Sequence, residues 1–413
     1  MTQVSTTRWK STTAGELGVF KGGSGFALRF QGQLNGEYPF FKVSDMNLKG
    51  NEIFMTRANN YVTELMRTSI GAAAFPAGAI VFAKVGAAVF LERKRILSQP
   101  SCIDNNMAAF VVDPRIVDSR FIYYALTNFR LGSLVAVGAL PSLNGKQLRS
   151  IPILFPLSVE VQKQISEVLS DGDNLIKILE RQLTKLRDIK QGMIQELLTG
   201  RTRLPGFNGD WIQATAGELG TFKGGSGFPT RYQGVGEGVY PFFKVSDMNL
   251  PGNETSMKTA NNYITEPVRA ALGATAFPMG SVTFAKVGAA VFLERKRILS
   301  QPSCIDNNMA AFLPNARLLD SAFAYFALIN FPLSSLVAVG ALPSLNGTQL
   351  RSITLNVPTD LEEQRAIAQV LSDAEEEFEV LERRLGSARA IKQGMMQELL
   401  TGRTRLPVEE AVA

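Results

Sequence analysis

Two groups of polar residues in this sequence combine the side-chain types that recognise the edges of DNA bases. Arginine and lysine pair with guanine, asparagine and glutamine with adenine, and aspartate and glutamate with cytosine. Further cations and backbone N–H groups hold phosphates. The first group is the segment 42–47 (KVSDMN), and the second combines Lys84 with the segments 93–95 (RKR) and 104–106 (DNN). The composition of both groups favours base recognition.

Both groups occur twice, because the chain repeats itself with an offset of 202 residues. Trp9 aligns with Trp211, and the stretch 82–110 recurs letter for letter at 284–312. Two copies of one fold in a single polypeptide can act as a built-in dimer. Such a molecule suits a target that is itself repeated.

Ten residues of the first copy and their mates in the second are our candidates for DNA contact. Some of them can instead be turn formers or solvated charges, and the paired asparagines are the most ambiguous, because asparagine is a preferred turn residue. The candidates in the first copy are Lys21, Lys42, Ser44, Asp45, Asn47, Lys84, Arg93, Arg95, Asn105 and Asn106. Those in the second copy are Lys223, Lys244, Ser246, Asp247, Asn249, Lys286, Arg295, Arg297, Asn307 and Asn308.

The sequence lacks the residues on which the common catalytic mechanisms depend. It contains no histidine, and its two cysteines, Cys102 and Cys304, are repeat mates. No phosphate-binding loop of the P-loop type and no Asn/Asp-Pro-Pro-aromatic tetrapeptide of an adenine methyltransferase is present. The segments 92–94 and 294–296 (ERK) match the E-x-K fragment of many nucleases, but without an acidic partner at convincing spacing. We therefore predict no catalytic residue, no metal site and no cofactor in this chain.

The overall charge suits a polyanionic partner. Lysine and arginine number 43 against 37 aspartate and glutamate residues, which gives a formal net charge of +6. The excess lies outside the last quarter of each copy, so the remaining part of each copy is expected to face nucleic acid, with an ordinary basic protein as the alternative. A polar N-terminus, no long apolar run and only two cysteines predict a cytoplasmic protein without a membrane span.

Each copy changes character at a proline, Pro156 or Pro358. Before it, turn pairs separate short apolar runs such as 79–82 and 107–112, which predicts an irregular, mostly β domain with a few helices. After it, the apolar residues recur at the 3-4 spacing of a coiled-coil seam. The seam of the first copy contains Ile176, Leu179, Leu183, Leu186, Lys190, Met193 and Leu197. The seam of the second contains Phe378, Leu381, Leu385, Ala388, Lys392, Met395 and Leu399.

One apolar seam alone would be exposed, so we predict that the two helices cover each other. Antiparallel pairing follows if the copies are related by a two-fold axis, and the alternative is that each helix packs only on its own β domain. Lys190 and Lys392 on the seam either restrict its register or reach to its rim. Under the same symmetry, the two ends of the chain are expected to lie near each other.

These patterns predict an α+β chain with an internal pseudo-two-fold repeat. Two β-rich domains alternate with two long helical segments that pair as an antiparallel coiled coil. The predicted boundaries are 1–157 for the first β-rich domain, 158–204 for the first helical segment, 205–359 for the second domain, 360–406 for the second helical segment and 407–413 for a tail.

Several motifs of the helical segments occur together in one known family. The second copy has Pro358, then Glu363-Gln364 at the start of an amphipathic helix, and QELLTG at its end (397–402). The first copy has Pro156, Gln162 and QELLTG at 195–200, and it departs in having Val161 where the second copy has Glu363. Upstream, the segment 38–45 (YPFFKVSD) completes the pattern. In these features the chain resembles the DNA-specificity (S) subunits of type I restriction–modification systems.

The resemblance implies a division of labour. Each β-rich domain would be a target-recognition domain that reads a few base pairs of double-stranded DNA, and the helices would fix the separation of the half-sites. The helices would also dock two modification (methyltransferase) subunits, which bring S-adenosylmethionine. A restriction subunit that uses ATP and Mg²⁺ would join for cleavage. The chain itself would be non-catalytic.

The near-identity of the two copies predicts that both domains read the same short sequence on opposite strands. The expected target is therefore a bipartite, near-palindromic site. The copies differ at 27–28 (AL against PT at 229–230) and at 53–54 (IF against TS at 255–256), so one half-site can differ by a base. The alternatives are a stand-alone DNA-binding regulator with a duplicated DNA-reading domain, and a fused nuclease or methyltransferase.

Overall fold

The computed structural model describes residues 8–135, 141–337 and 343–406. The chain divides into two compact units, of which unit 1 is Met1–Glu180 with Arg384–Ala413 and unit 2 is Arg181–Arg383. Each unit therefore contains one β-rich domain, the first part of the long helix that follows this domain, and the last part of the other long helix. The predicted tail 407–413 lies outside the described residues.

The first copy contains, in its described part, ten strands and five α-helices. Strands β1 to β10 are Trp9–Thr13, Gly18–Gly22, Tyr38–Phe41, Phe54–Met55, Tyr61–Val62, Ile80–Ala83, Lys94–Leu97, Cys102–Ile103, Met107–Val112 and Pro152–Pro156. Helices α1 to α5 are Ala14–Leu17, Glu64–Ser69, Ser119–Thr127, Gly145–Arg149 and Val159–Leu197. Short 3₁₀ helices are Leu28–Phe30, Val43–Asn47, Ala87–Leu91 and Leu131–Leu134.

The second copy repeats this order. Strands β11 to β20 are Trp211–Thr215, Gly220–Gly224, Tyr240–Phe243, Ser256–Met257, Tyr263–Ile264, Val282–Ala285, Lys296–Leu299, Cys304–Ile305, Met309–Pro314 and Thr354–Pro358. Helices α6 to α10 are Ala216–Leu219, Glu266–Ala271, Ser321–Ile329, Gly347–Arg351 and Leu361–Leu399. The 3₁₀ helices are Thr230–Tyr232, Val245–Asn249, Ala289–Leu293 and Leu333–Leu336.

A five-stranded sheet in the order β2-β9-β6-β7-β4 forms the centre of the first β-rich domain, with β5-β3-β8 as a second sheet. Strand β6 is buried on both faces. Because alternate side chains point to opposite sides of a sheet, Ile80 and Phe82 join the core that includes helix α3, whereas Val81 joins a separate core with Phe41. The second domain has the same strand order.

A buried glutamine near the start of each long helix attaches it to its domain. The side-chain amide of Gln162 donates to the backbone oxygen of Pro156 at 2.8 Å, and its Oε1 accepts from the backbone N–H of Asp118 at 2.7 Å. Gln364 makes the equivalent bonds to Pro358 and Asp320. The glutamine of the helix-start motif therefore has a structural role.

The two long helices pair in opposite directions within each unit. In unit 1, Ile165 and Leu169 share a core with Leu399 and Leu400. Further along, Asp173 pairs with Lys392 and Glu180 with Arg389, so one residue number rises while the other falls. In unit 2, Leu197 and Leu198 of α5 share a core with Ile367 and Leu371 of α10. The prediction of antiparallel pairing is confirmed within each unit.

The seam lysines are half-buried and form ion pairs. Lys190 pairs with Glu375 in unit 2, and Lys392 pairs with Asp173 in unit 1. Each ammonium group also lies near an aromatic ring, with Lys190 Nζ 5.4 Å from the centre of the Phe378 ring. Lys190 and Lys392 are repeat mates, as are Asp173 and Glu375, so the two units contain equivalent ion pairs.

Burial along the helices follows the predicted period. The seam positions that are buried are Leu179, Leu183, Leu197, Leu385, Ala388 and Leu399. The seam positions that are partly exposed are Ile176, Leu186, Lys190, Met193, Phe378, Leu381, Lys392 and Met395.

Residues near the two ends of the described chain meet in unit 1. Gly402 adopts a φ of +70°, and a Cβ atom built there would lie 2.7 Å from Cε2 of Trp9. Gly200 and Trp211 form the equivalent contact in unit 2. Residues 1–7 and 407–413, on which the predicted approach of the chain ends also rests, lie outside the described part. Among the described helices, none combines the length and apolar character needed to cross a membrane.

Candidate nucleic-acid interface

The segment 42–47 forms a turn that is held by its own aspartate. Asp45 is fully buried, and its Oδ2 accepts a hydrogen bond from the backbone N–H of Lys42 at 2.8 Å. Its Oδ1 accepts from the side-chain amide of Asn59 at 2.6 Å. Ser44 and Asn47 of the same turn are exposed. The structure therefore places Asp45 inside the domain, although the sequence groups it with the base-reading residues, and Asp247 repeats this arrangement.

An arginine joins the two groups of candidates. The guanidinium of Arg93 donates to Oδ1 of Asn47. The half-buried Arg95 instead donates to the backbone oxygens of Asn51 and of Lys94. Burial is the main cause that lowers the pKa of Arg95. Arg93 is therefore bonded to an exposed side chain, whereas Arg95 holds backbone in place.

The E-x-K fragment is a structural ion pair. Lys94 Nζ lies 2.6 Å from Oε2 of Glu92 and also donates to the backbone oxygen of Phe129. The Glu92 carboxylate accepts the N–H groups of Leu131 and Gly132. Burial lowers the pKa of the Lys94 ammonium, which Glu92 partly offsets. In the described parts of the chain, no group of three or more acidic or cysteine side chains could hold a metal ion.

A glycine permits the close approach of Lys84 to strand β2. A Cβ atom at Gly22 would lie 2.6 Å from Lys84 Nζ, and Lys21 precedes this glycine on the same strand. The backbone N–H of Lys84 donates to the oxygen of Asn106 at 2.8 Å. Lys84, Asn106 and the exposed end of β2 are therefore neighbours.

The tips of the two asparagines are exposed on a turn that Asp104 forms. The backbone N–H of Asn106 donates to Oδ1 of Asp104 at 3.1 Å. Burial raises the pKa of Asp104. Asn105 and Asn106 themselves are exposed.

Lys42 is half-buried, and its ammonium donates to Oε1 of Gln31 at 3.0 Å.

The second copy places its candidates in the same way. Arg295 donates to Asn249, and Arg297 to the backbone oxygen of Asn253. The Lys244 ammonium donates to Gln233, and the backbone N–H of Asn308 donates to Asp306. The Lys286 ammonium lies beside Gly224, and the side chains that are exposed are Lys223, Ser246 and Asn307.

The sequence model of the family described as "Type I restriction modification DNA specificity domain" matches this chain twice, over residues 7–188 and 208–386. The chain belongs to this family. It is a DNA-specificity subunit of a type I restriction–modification system and not a catalytic subunit, as the sequence predicts.

Two archaeal specificity subunits and two solved structures are similar along most of their length. The putative type I restriction enzyme MjaX specificity subunit of Methanocaldococcus jannaschii is 24% identical over 398 residues, with 89% of this chain and 88% of the relative covered. The MjaVIII specificity subunit of the same organism is 23% identical, with 77% and 76% covered.

The fold of the specificity subunit from M. genitalium matches with a TM-score of 0.62 at 15% identity, covering 97% of this chain and 98% of that one. A chain from a structural study of assembly and conformational transition of the type I system matches with a TM-score of 0.51 at 13% identity, covering 96% and 98%. The predicted fold class is confirmed.

One sequence difference between the two domains of this specificity subunit concerns packing on a helix. In unit 1 the Arg120 guanidinium of α3 lies 5.7 Å from the centre of the Phe54 ring. In unit 2, Thr255 and Ser256 stand at the positions of Ile53 and Phe54. The hydroxyl of Thr255 donates to Glu379 of α10 at 2.9 Å. A cavity of about 480 Å³ opens there. This difference lies against helices and not among the candidate DNA contacts, whereas the difference at 27–28 includes the highly exposed Leu28.

Sequence reasoning missed a hollow beside Asn105. It has a volume of about 680 Å³ and is lined by Gly25, Phe26, Arg29 and Phe30, among others. The Arg29 guanidinium lies 4.8 Å from the centre of the Phe30 ring. The glycine-rich tract before Phe26 was the available signal, because Gly23 lies against the backbone of Asp104, where a Cβ atom would be 2.1 Å from the carbonyl oxygen.

Proposed function

We propose that this specificity subunit reads a bipartite, near-palindromic DNA site, with each recognition domain contacting one half-site through the major groove. The proposed contacts are the exposed or half-exposed members of the candidate set, led by Lys84, Arg93 and Asn106 with their mates. The buried Asp45 and Asp247 hold the reading turns. Arg95 and Arg297 also have a structural role, because they donate to the backbone oxygens of Asn51 and Asn253.

One observation carries this proposal. The two domains place the same side chains in the same hydrogen-bonded settings, as in the bonds from Arg93 to Asn47 and from Arg295 to Asn249. Because base specificity depends on the type and position of the reading side chain, two equivalent surfaces are expected to select the same bases.

The partners of the helices follow from the same proposal. The paired helices dock two modification subunits, and a restriction subunit can join the complex. S-adenosylmethionine, ATP and Mg²⁺ are bound by these partners. The complex works in the cytoplasm, where the buried Cys102 and Cys304 remain thiols whose pKa values burial raises to about 11.

Mapping of methylated adenines tests the proposal. A host that expresses this chain with its modification subunits is sequenced by a single-molecule method that detects N6-methyladenine. We expect one inverted repeat interrupted by a short unspecified spacer, with both strands methylated. Two unrelated half-sites would contradict the proposal. Modification that does not depend on this chain would instead favour a stand-alone regulator.

A further inference from the structure

A rigid turn in each recognition domain holds two large apolar side chains in solvent. The turn is the 3₁₀ helix Ala87–Leu91, in which Phe90 and Leu91 are each 55% exposed. In the second copy, Phe292 is 54% and Leu293 55% exposed. Exposing such residues forgoes the free energy that burial would supply, so their occurrence in both copies requires a reason.

A hydrogen bond, a buried side chain and two residues with positive φ fix the conformation of this turn. Gly86 enters it with a φ of 80°, and the backbone N–H of this residue donates to the oxygen of Pro141 at 2.7 Å. Val89 is buried in the domain core and anchors the middle of the turn. Glu92 ends it in the left-handed conformation, with a φ of 53°, which is strained for a residue with a Cβ atom.

The ion pair described above stabilises this strained end. The Glu92 carboxylate is fixed by Lys94 and by two backbone N–H groups. The Phe90 ring rests against the backbone at Gly132, where a Cβ atom would lie 2.9 Å from Cδ1 of the ring. The E-x-K fragment therefore holds an exposed phenylalanine in one position, and Glu294 repeats the same conformation with a φ of 52°.

Cations flank the apolar pair on both sides. The turn connects the antiparallel strands β6 and β7, so that Lys84 follows the end of one strand and Arg93 precedes the start of the other. The two acids of the stretch 82–110 are withdrawn, because Glu92 is paired with Lys94 and Asp104 is buried. An exposed apolar turn that lies between two cations along the chain complements a nucleic-acid groove better than it complements another apolar protein surface.

We propose that Phe90 with Leu91, and Phe292 with Leu293, are wedges that insert between adjacent base pairs of the two half-sites. Apolar side chains that enter a base step partly unstack it and kink the duplex, and the cost of this distortion depends on the sequence of the step. The wedges would thus add specificity at a position that makes no hydrogen bond. This inference rests on the proposed function and deepens it.

The test uses the assembled complex of this chain with its modification subunits. The duplex carries the mapped target, with 2-aminopurine placed in turn at each position except the methylated adenine. For the wild-type complex we expect a rise in fluorescence at one step in each half-site. The variant Phe90→Ala with Phe292→Ala should lose this rise and bind the target about tenfold more weakly. Its affinity for unrelated DNA should change little.

Three controls separate the possible outcomes. Phe90→Trp with Phe292→Trp retains a large ring and should keep the fluorescence rise. Leu65→Ala removes an even more exposed apolar side chain, on α2, and should change nothing. If the double alanine variant kept the wild-type affinity and the fluorescence rise, the wedge proposal would be overturned, while the proposed function would stand. Loss of the modification subunits from that variant would also overturn it, because the tip would then be a protein contact. Failure of the wild-type complex to prefer the mapped duplex would overturn the proposed function as well.

Discussion

The buried carboxylate of Asp104 holds the turn that presents Asn105 and Asn106. Its pKa is raised because burial disfavours the charged form. The folded protein therefore binds this proton more readily than the unfolded chain does, and the associated stability is lost as the pH rises through the folded-state pKa. Asp104→Asn keeps the accepting oxygen without the charge. We expect it to raise the free energy of unfolding by about 1 kcal/mol at pH 8.

The gain should shrink as the pH falls through the folded-state pKa of Asp104, which lies above the usual range of an aspartate, because the wild-type side chain then takes up its proton and loses its charge. Thermal unfolding of the two proteins at pH 8 and pH 4 measures the difference. Asp104→Ala is the matched control, because it removes both the charge and the oxygen that accepts from Asn106. A stabilisation of the alanine variant as large as that of the asparagine variant would contradict this assignment.

Residue types alone identify the candidate set but cannot separate its members. Asp45 is adjacent to the exposed Ser44, yet it is fully buried. Its burial depends on Asn59, which is distant in the sequence and donates to it. The partners of Glu92, Leu131 and Gly132, are more distant still, at 39 and 40 residues along the chain. Contacts of this kind leave no periodic signal, so the sequence could not show that Asp45 and Glu92 are structural.

At the scale of elements, the ion pair between Lys190 and Glu375 determines part of the fit between α5 and α10 in unit 2. Lys190→Glu places two carboxylates together on a seam where both side chains are largely buried. We expect a lower thermal midpoint, with a loss of about 1 to 3 kcal/mol, because like charges repel and neither is well solvated. Adding Glu375→Lys should restore most of the loss.

Arg389→Glu provides the comparison for this swap, because Arg389 and Glu180 form an exposed ion pair in unit 1. Its effect should be smaller, since exposed ion pairs contribute little to stability. Equal losses for Arg389→Glu and Lys190→Glu, or no recovery in the Lys190→Glu, Glu375→Lys double variant, would show that the seam pair does not contribute to the pairing of the helices.

The helices were predictable from the sequence to a greater extent than the sheets. The 3-4 spacing from Ile176 to Leu197 depends only on the local period of a helix, and the buried positions Leu179, Leu183 and Leu197 follow it. The order β2-β9-β6-β7-β4 brings together strands that are far apart in the chain. Such pairings depend on long-range packing, and turn signals such as glycine pairs do not encode them.

At the scale of the whole molecule, duplication is the central feature. Each unit combines one recognition domain with parts of both long helices, and each long helix contributes to both units. The repeat was visible in the sequence without any structural argument. The location of the copy-specific residues was not, because the difference at Ile53-Phe54 against Thr255-Ser256 looked like a possible change in DNA reading and instead lies against helices.

Our central claim is that the two recognition domains read the same bases. The most direct test replaces residues 9–156 by the sequence of 211–358, so that the chain carries the second domain twice, and maps N6-methyladenine in a host that expresses this chimera with the modification subunits. We predict the wild-type target, changed by at most one base pair in one half-site. A target in which one half-site has been replaced by an unrelated sequence would contradict the claim.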